Sequence, residues 1–316
     1  MNASTRVLPL LLLGTLAGVA GCDKVADLSA ADPGLEKVNA YIACYNGVEQ
    51  PIHDGFQTYT GWIKDPEAGP TGKEAQPRSP GKLLSHRVDY CGQPLSDALA
   101  KTPALPMDGA ARAYQQTFQA LNTLIERADG YVTREDYRRD GGDGLRRQHA
   151  PLMQAYAAFF KASEALDAAL EKNEEDRRAA QLKQIEASEG RSLAYYHLRL
   201  LGDGKQLAMA FQGDAPDLAA LRTQLADYQA LVTEIQASGV GKDDPMWGHV
   251  QRSADKLVRT AGRGVERLQQ GKPITAEGLA AERKASGSWD TSAPEGAQST
   301  LLDAYNDLVT TSNRLR

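Results

Sequence analysis

The chain has 316 residues, of which 41% are hydrophobic and 24% charged, with a formal net charge of −5. That supplies a core for one or two domains. An acidic surface repels phosphate backbones, so nucleic acid is excluded as a partner. No stretch beyond residue 22 approaches the ~20 apolar residues needed to span a bilayer, so the body is expected to be soluble.

The first 21 residues read as an export signal. Arg6 is followed by apolar runs at 7–13 and 16–20 and by the small-residue site Val19-Ala20-Gly21. Cys22 directly after the cut makes the signal resemble a bacterial lipobox, in which the cysteine is acylated. Acyl chains on Cys22 would anchor the protein to a lipid bilayer, because two or more chains hold where one does not. Removing Arg6 with the leader takes the remaining chain from −5 to −6. The expected setting is the bacterial cell envelope, with the body in the periplasm. Asp23 resembles the inner-membrane retention signal of enteric bacteria and Lys24 departs from it, so the choice of membrane stays open. Residues 22–31 are polar and alanine-rich and read as a tether; residues 32–316 read as a single helical domain.

Three cysteines leave two once Cys22 is lipidated. Export to an oxidising compartment favours a Cys44–Cys91 disulfide; the alternative is two buried thiols.

Asp32-Pro33 predicts a helix start, with Asp as cap and Pro at the first position. Leu35, Val38, Ile42, Tyr45, Ile52, Phe56, Tyr59 and Ile63 follow at three–four spacing, with a gap at Glu49. Gly47, Pro51 and Gly55 predict a kink. Residues 65–82 are rich in Gly and Pro and form a loop. A short helix is expected over 83–91. Asp108 is expected to cap a helix carrying Tyr114, Phe118, Leu121, Ile125 and Ala128.

Beyond the Asp140-Gly-Gly-Asp-Gly144 loop, Leu152, Tyr156, Phe159, Ser163, Leu166 and Leu170 mark the next helix. Asn173-Glu-Glu-Asp176 either caps a new helix or lies on the solvated face of a continuing one. Leu182, Ile185, Leu193, Tyr196 and Leu200 carry the stripe on. Asp214 and Asp217 flank Pro216 as a cap, and Asp244-Pro245 opens a helix led by Trp247 and Val250. A Gly/Ser/Pro-containing stretch runs to about residue 296. Ser292 and Glu295 match a capping box before the last helix. The reading is all-α: six or seven amphipathic helices in an antiparallel bundle, with no period-two strand segment.

Lys37-Val-Asn-Ala-Tyr-Ile-Ala-Cys-Tyr-Asn46, Gly69-Pro-Thr-Gly-Lys-Glu74, Tyr131, Asp136-Tyr137, Asp140, His149, Pro151-Leu152 and Tyr196-His197 resemble the YiiG-like bacterial lipoproteins. The resemblance covers roughly residues 35–310. It implies an all-helical envelope lipoprotein and nothing about mechanism, because the family's domain has no assigned function.

Few residues point to chemistry. Gly69–Glu74 lacks the Ser or Thr that follows Lys in a phosphate loop, and Pro70 removes a backbone donor. Asp140–Gly144 lacks the alternate ligands and the Glu of a calcium loop, since its twelfth position is Pro151. No two of the five histidines stand at paired zinc-ligand spacing. There is no nucleophile elbow and no Cys-x-x-Cys pair. Tyr196, His197 and His149 are the candidate ligand-binding residues. Their structural reading is that His149 satisfies a backbone group at a helix start and His197 sits at the core edge. Tyr41, Tyr45, Phe56, Tyr59, Tyr156, Phe159, Phe160 and Tyr195 fill the core or line a cleft.

The expected role is a non-catalytic binding or interaction module with no cofactor or metal and with an envelope protein as partner. A cleft holding a small molecule, lipid or metal is the alternative. A cell-wall hydrolase is the third reading, and it needs two converging carboxylates that the sequence does not nominate.

Overall fold

The computed structural model describes residues 33–74, 76–213, 215–287 and 289–315. The leader 1–21, Cys22, the tether 22–31 and the Asp32 and Asp214 caps lie outside them. The described residues are helical, with no strand among them. Among the described residues eleven helices are present: α1 (Pro33–Thr60), α2 (Ser85–Tyr90), α3 (Gln93–Ala100), α4 (Asp108–Thr133), α5 (Tyr137–Asp140) and α6 (Asp143–Glu189) are followed by α7 (Leu193–Ala210), α8 (Leu218–Ser238), α9 (Pro245–Gln269), α10 (Ala276–Ser286) and α11 (Gln298–Ser312). The expected six or seven correspond to the long ones. The short α3, α5 and α10 fall where the sequence reads as connection, because a few residues carry too little period to signal a helix.

The chain divides into two compact units, 33–175 and 176–315, and α6 runs from one into the other. Asn173–Asp176 therefore sits within a continuing helix.

In the first unit α1 supplies the central face. Tyr41, Cys44, Tyr45, Val48, Ile52 and Tyr59 are buried, and Lys37 and Glu49 are buried with them. Leu35 and Ile42, expected in the core, are only half-buried. The helix continues through Pro51. Proline lacks the N–H that would bond the Gly47 carbonyl; Arg87 Nη1 donates to that carbonyl instead, at 3.3 Å. A side chain at Gly47 would press on the Tyr90 ring, so glycine lets α2 lie close. Just beyond, Cys91 is joined to Cys44 by a disulfide, with both residues fully buried. The Gln115 amide of α4 donates to the Cys91 carbonyl at 2.9 Å.

Asp108 departs from its expected role. It opens α4, but its carboxylate accepts from Lys37 Nζ (2.7 Å) and from the Tyr41 hydroxyl (2.6 Å) rather than capping the helix.

The second unit is built on α9. Trp247, Val250, Ala254, Leu257 and Ala261 are fully buried, against Tyr228 and Leu231 of α8, Leu207 of α7 and Leu301 and Leu308 of α11. Asp217 caps α8 through the Ala219 and Ala220 amides, and Asp244 caps α9 through Met246. Ser192 caps α7. The expected Ser292–Glu295 capping box does not form: Ser292 bonds Asp290, and α11 starts after Ala297 without a side-chain cap. Thr275 caps α10 instead, accepting from Gly278 N at 3.1 Å. No helix among the described residues is long and apolar enough to cross a membrane.

Candidate functional site

The loop after α1 lies against the start of α6, where many of the residues that carry the family resemblance meet. His149 is the clasp. Its Nε2 lies 2.9 Å from the Pro66 carbonyl, which can only accept, so Nε2 carries the proton. Nδ1 then accepts from the Tyr59 hydroxyl at 3.0 Å. Both ring nitrogens are engaged, which leaves neither for a ligand. Burial pushes the Tyr59 phenol up to about 12. Gly69, at φ 86°, lets the loop touch the imidazole, where any Cβ would clash.

The two loops with motif-like sequences close on themselves. Glu74 accepts from the Thr71 amide and hydroxyl and from the Gly72 amide. Burial alone would raise its pKa, but these bonds outweigh it and hold the carboxyl below its ordinary value. The turn is thus capped by its own acid and has no phosphate cradle to offer. Asp140 accepts from the Tyr131 hydroxyl (2.7 Å) and from the Gly142 and Gly144 amides (3.0 Å each). The Tyr131 hydroxyl, with the two amides, holds this carboxyl below its usual range. Among the described residues no group of three or more His, Cys, Asp or Glu is placed to hold a metal ion.

Beside this junction, a groove of about 250 Å³ lies between α4 and α6, open to solvent at its arginines, with Arg134 and Arg147 65% and 70% exposed. Its polar lining is Arg127, Arg134, Arg147 and Gln148, and its apolar wall is Leu124, Tyr131 and Pro151. Helical spacing explains the set. Residues 124, 127, 131 and 134 lie three or four apart at the end of α4, and 144, 147, 148 and 151 do the same at the start of α6. A Cβ at position 144 would clash with the Tyr131 ring, so glycine there sets how closely the helices approach. Arg134 pairs with Asp136 at 3.0 Å, and Asp136 is also paired with Arg139. Arg147 pairs with Asp143 at 3.2 Å and reaches Asp140 at 3.9 Å, and Asp143 also serves Arg146. Arg127 makes no ion pair or hydrogen bond among the described residues. The Gln148 side-chain oxygen is buried with no donor, while its Nε2 donates to the Gly144 carbonyl.

Two further polar networks lie in the core of this unit. Glu49, 7% exposed, accepts from Ser163 Oγ (2.6 Å) and Tyr114 Oη (2.9 Å), and His53 Nε2 lies 3.2 Å away. Burial, with the Glu49 charge beside it, pushes the Tyr114 phenol far above its ordinary value. Lys37 is 0% exposed, and its ammonium uses all three donors, on the Lys101 and Pro103 carbonyls and on Asp108. The sequence left a trace of the first network as the gap in the α1 stripe. Neither network leaves a charged group open to a substrate.

Tyr196 and His197 belong to the second unit. The Tyr196 hydroxyl donates to Glu234 at 3.0 Å, and Arg191 shares that carboxylate at 2.6 Å. His197 Nε2 is buried without a partner, and its ring sits edge-on to Trp247, whose own Nε1 is also unpartnered. Burial lowers the His197 pKa. The aromatic residues pack the core: Tyr156 stacks on Phe160, Phe56 meets both edge-on, and Tyr45 and Phe159 pack against Tyr114.

Comparison with known proteins gives a family and no activity. A family sequence model described as "Protein of unknown function (DUF3829)" matches residues 32–314. The "Uncharacterized protein YiiG" of Escherichia coli (strain K12) is 29% identical over 282 residues, covering 89% of this chain and 79% of that protein. No solved structure matches.

Proposed function

The chain belongs to the DUF3829 family of proteins of unknown function, and on that premise we propose that it is a lipid-anchored envelope protein serving as a non-catalytic binding module. In this reading the leader is removed after Gly21, Cys22 carries the lipid, 22–31 form the tether and 32–316 the working body in the periplasm. The short turns at 190–192, 211–217 and 239–244 favour antiparallel bundle packing of the helices they join. The observation that carries the binding role is the contrast within the first unit. Its buried Lys37, Glu49 and His149 are each held by partners within the fold, whereas the arginine-lined groove between α4 and α6 keeps a guanidinium with no partner among the described residues. A closed network stabilises a fold; an open cation in a cleft is free to bind.

Membrane fractionation of the wild type and of Cys22→Ser tests the anchor. Release of the variant into the soluble periplasmic fraction is expected, and an unchanged distribution would refute it. Cross-linking in intact cells, with Arg127→Ala as control, tests the module. A defined adduct lost in the variant is expected; the absence of any adduct counts against the reading.

A further inference from the structure

We propose that the α4–α6 pocket binds the free carboxylate end of a peptide chain. This deepens the binding-module reading and rests on it. Three features converge. The first is charge. Asp136 and Asp143 each serve two arginines, Asp140 also reaches Arg147, and Arg127 has no partner among the described residues, so five guanidinium groups stand against three carboxylates. Guanidinium groups present a planar fork that matches a carboxylate.

The second is the acceptor. A buried oxygen with no donor is a polar mismatch that a ligand N–H relieves. Gln148 lines the same groove and carries such an oxygen. A C-terminal residue carries an N–H one carbon away from its carboxylate, so it answers the arginines and Gln148 together. A phosphate ion brings no N–H held at a fixed distance from its charge and no side chain.

The third is shape. Leu124, Tyr131 and Pro151 give an apolar wall, which suits a terminal side chain and is of no use to a small inorganic ion. The volume of about 250 Å³ lies just under the ~300 Å³ lower end of ordinary ligand pockets, a size that suits a terminal residue.

Calorimetric titration of the full chain in detergent tests this, with N-acetyl-alanyl-leucine, its C-terminal amide and inorganic phosphate as probes. The free acid should bind saturably at millimolar concentration or below, and more weakly as salt is raised. The amide should bind at least about tenfold more weakly, the scale of one charge-assisted bond. Arg127→Ala and Arg127→Gln should each lose about tenfold in affinity for the acid. Both should keep the wild-type melting temperature, because Arg127 is exposed and makes no ion pair or hydrogen bond among the described residues. Gln148→Leu should weaken the acid and leave phosphate unaffected. Equal binding of acid and amide, binding of phosphate without peptide, no peptide binding at all, or full affinity in both Arg127 variants would each overturn the proposal. If the peptide fails to bind while the Arg127-dependent cross-link persists, the binding module stands and the ligand class falls.

Discussion

Lys37→Met removes a cation from the core while nearly preserving its volume. The Lys37 ammonium is fully buried and donates at 2.9, 3.0 and 2.7 Å to the Lys101 carbonyl, the Pro103 carbonyl and Asp108. Methionine leaves all three acceptors without that donor. Losing the charge-assisted bond costs roughly 1.5–3 kcal/mol, and each carbonyl left dry adds about 1 kcal/mol. The sum of about 3.5–5 kcal/mol agrees with the ~3–5 kcal/mol that follows the breaking of a buried ion pair. Against a domain stability of ~5–15 kcal/mol this is a large fraction. Urea unfolding followed by circular dichroism measures it, and hydrogen exchange resolved by peptide assigns it to 33–175 or to 176–315. Protection should fall first in the former.

Acid titration gives an independent check. Burial alone would raise the Asp108 pKa, but the bonds from Lys37 and Tyr41 lower it overall. A depressed carboxyl contributes stability above the unfolded pKa of ~3.9 and loses it as pH falls through the folded value. Lys37→Met should therefore have a shallower acid limb than the wild type. A destabilisation under about 1 kcal/mol, or a double-mutant cycle with Asp108→Asn that gives no coupling, would refute the reasoning.

Other predictions follow from the same geometry. Cys44→Ser with Cys91→Ser opens a link across a separation of 47 residues and should cost about 4 kcal/mol by the chain-entropy relation, read as a lower urea midpoint; an unchanged midpoint contradicts it. His197, held neutral by burial, is protonated in the unfolded chain below its ordinary ~6.5. Stability should fall as pH drops below that value, with a slope of up to about 1.4 kcal/mol per pH unit. His197→Leu should flatten this slope, and its persistence in the variant would assign it elsewhere. The Tyr59 phenol, pushed up to about 12, stays neutral where the unfolded chain ionises from ~10. Stability should therefore decline between those values, with phenolate absorbance rising together with unfolding; phenolate appearing at ~10 in a protein still folded by circular dichroism would contradict the burial argument.

The site was less legible in the sequence than the fold. Stripes such as Tyr114–Ala128 and Trp247–Val265 gave their helices directly, and Asp217 and Asp244 gave two starts. These are local signals, because residues three or four apart share a helix face wherever the helix ends up. The phase of α1 was misleading. Lys37 and Glu49 look like solvent positions, and Leu35 and Ile42 look like core, yet the burial runs the other way. Their partners lie far along the chain: Asp108 is 71 residues from Lys37, and Ser163 is 114 from Glu49. The Asp108 and Ser292 caps failed for a related reason, since a short polar side chain serves whichever donor the fold brings nearest. The arginines at 127, 134 and 147 stand in no local motif that marks them as a site.

Sequence alone settled that this chain is helical and where most of its long helices begin, because those depend on contacts within one turn. Its leader and Cys22 gave the expected address for the same reason, as a contiguous pattern. Only the tertiary structure decided which polar residues are buried, that Cys44 meets Cys91, and that α4 and α6 face each other across an arginine-lined pocket. Those facts depend on pairing between distant helices, and the free energy of a buried charge is set by partners that no local pattern encodes.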